Sequence, residues 1–384
     1  MNNRFLVITE LFLPTKGGTA VWFDEVYRRL GGKEIHIVTA AVPNDAEHDA
    51  THPNSVHRLH LHRVPWLRPE SLGMYVNLLA KSLCLAVRHR FSAIHAGRAL
   101  PEGLVAWVVG RLIARPVVVY AHGEELTGWG QGRKYRAMCF VLQHAERVVA
   151  NSEFTRRTLE GMGVEPSRIA LIHPGVDTER FRPDLPFQDL RDSLGLAGEE
   201  RLLLSVGRLQ RRKGFDTVIQ ALPGLLACGH DVHYAIIGTG ADRDYLLGLA
   251  RDLGVAERVH LLGHVPMDEL PRWYCACDLF VMANRNVGGD TEGFGMVFLE
   301  AAACGRAVVA GMAGGTASAV LHGETGLQVD GGRVEAVVGG IRQLFEDSPT
   351  RFRLASNALR RVGDELAWDR VAQRTLALLA DNSG

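Results

Sequence analysis

Two glutamates frame a glycine-rich turn in the stretch GGDTEGFGMVFLEAAACG, residues 288–305. Glu292 precedes the turn Gly293-Phe294-Gly295, and Glu300 follows about a turn and a half into the apolar segment that begins at Met296. Carboxylates in this arrangement lack the closeness of an acid–base pair and suit two separate hydroxyl groups along one extended ligand. The backbone N–H groups of Gly295, Met296 and Val297 open the expected helix, where they can face phosphate or sugar oxygens. A capped helix with one solvated glutamate is the plainer reading, and it leaves the density of glycine around Glu292 unexplained.

Cations stand at the end of another apolar run, SVGRLQRRKG, residues 205–214. Arg208 offers a planar fork and Lys213 a point charge, with Arg211 and Arg212 between them, a combination that suits a pyrophosphate. A solvated basic loop is the alternative. His122, in AHGEEL, follows the strongest apolar run of the first half, where an imidazole can donate a hydrogen bond or move a proton. The chain has sixteen histidines, so a structural role is equally open. Gly17 and Gly18 stand where a helix should begin, and its free N–H groups and dipole would favour an anion there.

Gly238 and Gly240, in IIGTGADRDYL, imitate a dinucleotide loop, but residue 243 is Arg where a third glycine is needed, which disfavours a redox NAD site. Asp242 and Asp244 have the D-x-D spelling of a metal-assisted nucleotide site. They also open a helix, where acidic residues serve as caps and dipole partners, so no metal is expected.

These groups need a scaffold that places strand ends together. Short β-branched runs recur in both halves of the chain, each followed by a polar turn and a segment of helical period. Near-continuous apolar strands alternating with helices predict two parallel sheets covered on both faces, with ligands at the carboxyl ends of the strands. The expected architecture is α/β with two doubly wound Rossmann-like domains and a cleft between them. Residues 1–178 form the first domain, 179–200 a proline-rich linker, 201–363 the second domain and 364–384 a last amphipathic helix. Pro223 is expected to kink or split the helix that contains it. The run VHRLHLHRV, 56–64, has the alternation of a half-exposed edge strand, and with Trp66 and Arg68 it could offer a basic aromatic surface to an anionic acceptor or membrane.

Lys and Arg together number 43, as do Asp and Glu, so the molecule as a whole has no electrostatic claim on nucleic acid. Hydrophobic residues at 47% and charged residues at 22% are ordinary for a globular chain. Six cysteines without paired spacing predict reduced thiols and a cytoplasmic protein. Neither a signal peptide nor a membrane span is expected.

Assembled in order, GGTAVW, AHGEE, HPGVDTERFRP, SVGRLQRRKG, IIGTG, LLGHV, EGFGMVFLE and EAAACGRAVVAG resemble the retaining glycosyltransferases of family 4, which have the GT-B fold. The resemblance covers nearly the whole chain, and its most specific part is the E-x7-E pattern of Glu292 and Glu300. It implies that Arg208 and Lys213 neutralise the donor diphosphate without metal or cofactor, and that Glu300 holds the ribose hydroxyls. Glu292 and the amides of Gly293, Phe294, Gly295, Met296 and Val297 would meet sugar and phosphate. Gly17 and Gly18 would face the diphosphate, His122 the reacting sugar, and Gly238 and Val265 the nucleotide. Thr316, Ala317 and Ser318 stand where many members carry Pro-Glu.

The donor-site spelling most resembles GDP-mannose-dependent phosphatidylinositol mannosyltransferases. The expected function is transfer of a hexose, by this lean mannose, to a lipid or glycan acceptor, with peripheral association at the inner membrane face as a further expectation. The alternatives are a UDP-sugar-dependent transferase of glucose or N-acetylglucosamine and a GT-B epimerase or hydrolase of sugar nucleotides.

Overall fold

Each apolar run of the sequence becomes a strand, because Val, Ile and Leu on both faces of a segment can be buried only inside a covered parallel sheet. The computed structural model describes residues 4–61, 71–127, 132–196 and 198–378. The first sheet contains β1 (Phe5–Ile8), β2 (His36–Ala40), β3 (Ser55–Leu59), β4 (Ala93–Ala96), β5 (Val117–Ala121), β6 (Arg147–Ala150) and β7 (Ile169–Leu171) in the order β3-β2-β1-β4-β5-β6-β7. The second contains β8 (Arg201–Val206), β9 (Val232–Ile237), β10 (Val259–Gly263), β11 (Leu279–Met282), β12 (Ala307–Gly311) and β13 (Leu327–Val329) in the order β10-β9-β8-β11-β12-β13. All pairings are parallel. Strand order reverses beside β1 in one sheet and beside β8 in the other, and side chains just past those strands and their neighbours β4 and β11 are the ones a doubly wound sheet offers to a ligand.

Contacts divide the chain into one unit of Met1–Pro174 with Trp368–Gly384 and another of Gly175–Ala367. Residues 179–200, expected as a linker, are built into the second unit. Phe181, Leu190 and Leu196 join its core, and Arg191 donates to the carbonyls of Ala276 and Glu200. The expected final helix is also redrawn. Residues 364 and 365 end a longer helix, Ser348–Glu365, and a separate helix, Trp368–Ala377, packs on helix Gly18–Leu30 of the first unit. Arg29 donates to Asp369 there at 2.8 Å.

Pro223 does not divide its helix: Phe215–Ala227 is one element, held by the buried face of Val218, Ile219, Leu222 and Leu225. Burial of side chains of this size contributes about 1.5–3 kcal/mol each, which offsets the hydrogen bond a proline removes. β3 is the edge strand its alternation predicted. Its Arg58 is bound to Asp49 at 2.7 and 2.9 Å and so is not offered to an anionic partner. His62, Trp66 and Arg68 lie outside the described residues.

Candidate active site

The second unit gathers its polar groups past β8 and β11. The loop after β8 passes through the turn Arg211–Lys213 and enters helix Phe215–Ala227 at Gly214. A Cβ on Gly214 would lie 1.8 Å from the carbonyl oxygen of Ala283, so only glycine lets this loop lie against the chain leaving β11. That contact brings Lys213 and Glu292 together across 79 residues of sequence. Lys213 Nζ donates to Glu292 Oε2 at 2.5 Å, Asn284 Nδ2 donates at 2.9 Å and Arg212 at 3.2 Å. Burial would raise the Glu292 carboxyl, but the Lys213 and Arg212 charges and their hydrogen bonds outweigh it and hold the group below the ordinary glutamate value. Glu292 is therefore an ionised, buried acceptor.

Arg208 differs from its neighbours. It is exposed, and its side chain has no hydrogen bond or ion pair among the described residues. Arg211 instead lies 3.3 Å above the ring of Tyr245, between Asp216 and Asp242. Asp242 is thus engaged by a cation, and no group of three or more metal-ligating side chains exists among the described residues.

Glu300 occupies a second, separate environment. Tyr274 donates to its Oε2 at 2.6 Å. Burial raises the Glu300 carboxyl above its ordinary value, with the Tyr274 hydrogen bond and the Arg180 charge only partly opposing it. The two carboxylates therefore do not share a proton, as their spacing implied.

Between them, Gly295 adopts φ +93° and starts helix Met296–Ala303 without a side-chain cap. The amides of Gly295, Met296 and Val297 are left without an acceptor among the described residues, so they can bind oxygens of a ligand. Gly293 and Phe294 are buried in the turn behind them. The loop carrying Thr316 supports Glu292 from the main chain: Gly315 N donates to Glu292 O at 2.7 Å, and Thr316 Oγ1 donates to Gly311 O at 2.9 Å. Val265 is nine-tenths buried. Gly238 has a packing role: its N–H is taken by Gly263 O, and a Cβ at its φ of +145° would lie 1.8 Å from Gly207 O.

In the first unit, Gly17 caps helix Gly18–Leu30 and leaves its first-turn amides without a side-chain partner. His122 follows β5, almost buried, with Trp22 edge-on at 5.5 Å. Its Nε2 stands 3.0 Å from Gly97 O, so that nitrogen carries the proton and donates it. Burial, aided by the Arg98 charge, pushes the imidazole down to about 4. His122 is thus neutral near pH 7, with its Nε2 proton held by Gly97 O.

Three residues of this site carried no assigned role in the sequence reading. Arg212 was only a neighbour in a basic loop, yet it shares Glu292 with Lys213. Asn284, at the end of β11, is 1% exposed and fixes the same carboxylate. Arg285 clasps Asp216 with both terminal nitrogens, at 2.9 and 2.7 Å, and its N–H donates to Arg212 O, bracing the cationic loop. The polar run ANRN after an apolar strand was the available signal for the last two.

The family model described as glycosyl transferases group 1 matches residues 186–361, and that of Glycosyltransferase Family 4 matches residues 16–180. A GDP-mannose-dependent alpha-(1-6)-phosphatidylinositol monomannoside mannosyltransferase of Mycobacterium tuberculosis is 32% identical over 380 residues, 97% of each chain. A D-inositol 3-phosphate glycosyltransferase of Thermobispora bispora is 31% identical over 386 residues, covering 93% of this chain and 88% of the relative. Among solved structures, Anabaena HepE in complex with UDP superposes with a TM-score of 0.84 at 24% identity, over 98% of this chain and 100% of that one. With the E-x7-E carboxylates, the cationic loop and two parallel-sheet units in place, the chain belongs to the family 4 glycosyltransferases of GT-B fold.

Proposed function

We propose that the protein is a retaining hexosyltransferase that moves mannose from GDP-mannose to a lipid or glycan acceptor, without a metal. The observation that carries this reading is the division of labour past β8. Lys213 and Arg212 are balanced by Glu292 and Asp290 together, while Arg208 remains unpaired and exposed. An unpaired guanidinium beside a neutral cluster suits the charge that appears on a diphosphate as its sugar departs. The role a divalent ion would take is supplied by Arg208, Lys213 and the amides of Gly295–Val297. Glu292 accepts from a sugar hydroxyl, Glu300 from the ribose, and the departing phosphate takes the acceptor proton, since no side chain described here stands as a general base. The mannose donor rests on the mycobacterial relative named above.

A thermal-shift panel of GDP, UDP and ADP with their sugars tests donor and family together. Stabilisation by GDP-mannose, α-configured product by NMR and turnover undiminished by chelator are expected. Arg208→Ala should lower turnover more than a hundredfold, and near-wild-type turnover in that variant would sink the assignment.

Peripheral membrane association is supported by one layer of the first unit. Helices Leu72–Arg88, Leu104–Ile113 and Arg133–His144 pack on one face of its sheet and contain no acidic residue. They carry Lys81, Arg88, Arg111, Arg133, Lys134 and Arg136. Their solvent side presents Leu72, Val76, Val87 and Leu112, with Val87 88% exposed. Basic charge around exposed aliphatic side chains suits an anionic bilayer surface. No helix of the described residues is long and apolar enough to cross a membrane. Co-sedimentation with anionic vesicles, weakened by salt and by Val87→Glu, is the expected result; equal binding to zwitterionic vesicles counts against it.

A further inference from the structure

The first unit holds a polar cluster that the donor chemistry does not use. Gly97, just past β4, packs so tightly on the end of β1 that a Cβ would meet Thr9 Oγ1 at 2.6 Å. This close approach sets Arg98 beside Glu10. The Arg98 side chain, about three-quarters buried, has Glu102 at 3.5 Å and Glu10 at 3.9 Å and forms no hydrogen bond among the described residues. Five N–H donors are therefore unspent in a partly desolvated place. Behind them Glu102 is fully buried. Its Oε1 accepts the N–H of Glu10 at 3.0 Å, and its Oε2 has no hydrogen-bond partner. Burial raises this carboxyl despite the nearby Arg98 charge. The carboxylate of Glu10, about one-third exposed, makes no hydrogen bond of its own.

Resting on the transferase reading, we infer that Arg98 and Glu10 form the acceptor-specificity subsite, binding two adjacent ring hydroxyls of a sugar or cyclitol. A fork of donors beside a free carboxylate matches a vicinal diol, whose oxygens accept from the guanidinium while one hydroxyl donates to Glu10. Glu102 acts through Arg98 and the Glu10 backbone as a positioning residue. A phosphate is the poorer fit, because Glu10 faces the guanidinium and Glu124 and Glu125 lie within its field. His122 hydrogen-bonds the carbonyl of Gly97, the residue before Arg98.

Saturation-transfer NMR on the full chain, with methyl α-mannopyranoside and myo-inositol as probes, reads this subsite without turnover; GDP-mannose affinity is measured in parallel. Binding of at least one probe to the wild type is expected. Arg98→Gln should weaken it about ten- to a hundredfold and Glu10→Gln several-fold, with donor affinity unchanged. Arg98→Lys keeps a charge beside Glu102 and so preserves the fold while losing the bidentate fork. The 2,3-di-O-methyl mannoside should not bind. Absence of polyol binding in a wild type that binds GDP-mannose, polyol affinity unchanged in the variants, or competition by inorganic phosphate would each overturn the inference. Failure of every nucleotide sugar to bind would instead overturn the transferase reading, leaving polyol binding to decide the subsite.

Discussion

Separating Lys213 from Glu292 tests whether the donor site is built around a neutralised carboxylate. At an effective dielectric of about 20, unit charges at the Lys213–Glu292 distance of 2.5 Å attract by about 6–7 kcal/mol, and those at the Arg212–Glu292 distance of 3.2 Å by about 5 kcal/mol. Desolvation of three side chains, each only 11–12% exposed, offsets most of this. The net effect appears when one partner is removed and the others stay buried, at about 3–5 kcal/mol. Lys213→Met leaves Arg212 and Asn284 on the carboxylate and should cost about 3 kcal/mol, whereas Glu292→Gln strands buried Lys213, takes one of the acidic partners of Arg212 and should cost about 4 kcal/mol. The double variant loses both charges, and Arg212 keeps Asp290 at 3.1 Å, so its cost should be about 4 kcal/mol rather than the sum of about 7, a coupling of about 3 kcal/mol. Differential scanning calorimetry and urea unfolding of the four proteins at pH 7.5 measure it, with Glu292→Gln melting about 10 °C lower. Because the Glu292 carboxyl is held below its ordinary value, its contribution is present above the unfolded value and is lost as pH falls below it. The gap between wild type and Glu292→Gln should therefore narrow below about pH 4.5. Single-variant costs that add within about 0.5 kcal/mol would refute the neutralised-carboxylate account.

Three further outcomes follow from the same geometry. Glu300→Gln should weaken donor binding about tenfold by isothermal titration and abolish its pH dependence. In the wild type, affinity should fall on acidification at a pH above the ordinary glutamate value, since burial raises Glu300; a pH-independent wild type would contradict this. Gly238→Ala should cost more than about 3 kcal/mol or prevent folding, because a Cβ there meets Gly207 O at 1.8 Å; a soluble variant with wild-type melting would contradict the packing role. Burial holds His36, His57, His122 and His260 down to about 4 and His95 to about 3, so the unfolded chain binds more protons than the folded one below about pH 6.5. Stability should fall as pH drops from about 6.5 towards 4, by up to about 1.4 kcal/mol per pH unit for each such histidine, and a melting profile flat between pH 7 and 5 would be incompatible with these sites.

The sheets were legible because apolar runs with a glycine or polar turn at the end have few other places to go, and even the edge strand at Ser55–Leu59 announced itself by alternation. Helices Val334–Glu346 and Ser348–Glu365 were not read, since Gly339, Gly340 and a high density of arginine dilute their apolar stripes; tertiary burial of Ile341, Leu344 and Val362 decides them. The partner of helix Trp368–Ala377 depends on contacts with a helix more than three hundred residues earlier, which no local pattern encodes. Arg208, Lys213, Glu292 and Glu300 were singled out by spacing, and the structure joins Lys213 to Glu292. The Arg212–Glu292 pair and the Asn284 contact required the close approach at Gly214. The three acid-free helices are visible as long stretches without Asp or Glu, but only the fold gathers them on one core, which helix Glu153–Gly161 with its two glutamates also joins.

Glu292 has a further consequence for how the donor site treats charge. Without Glu292, Lys213 would lose its counter-ion and Arg212 would keep Asp290 as its acidic partner, leaving excess positive charge in a partly buried place. Glu292 holds the pair through one oxygen, Oε2, which accepts from Lys213, Arg212 and Asn284. Lys213 spends one of its three N–H donors on this bond, and on the proposed reading the other two serve a diphosphate. The carboxylate therefore orients the cation, and the cation in turn keeps the carboxylate ionised. If the proposed transfer takes place at this cluster, such preorganisation supplies stabilising charge to the leaving group without reorganisation at the moment of transfer. Arg208 is set apart from that pair: it has no counter-ion among the described residues, so a diphosphate bound there as proposed would neutralise it instead of displacing an existing pair.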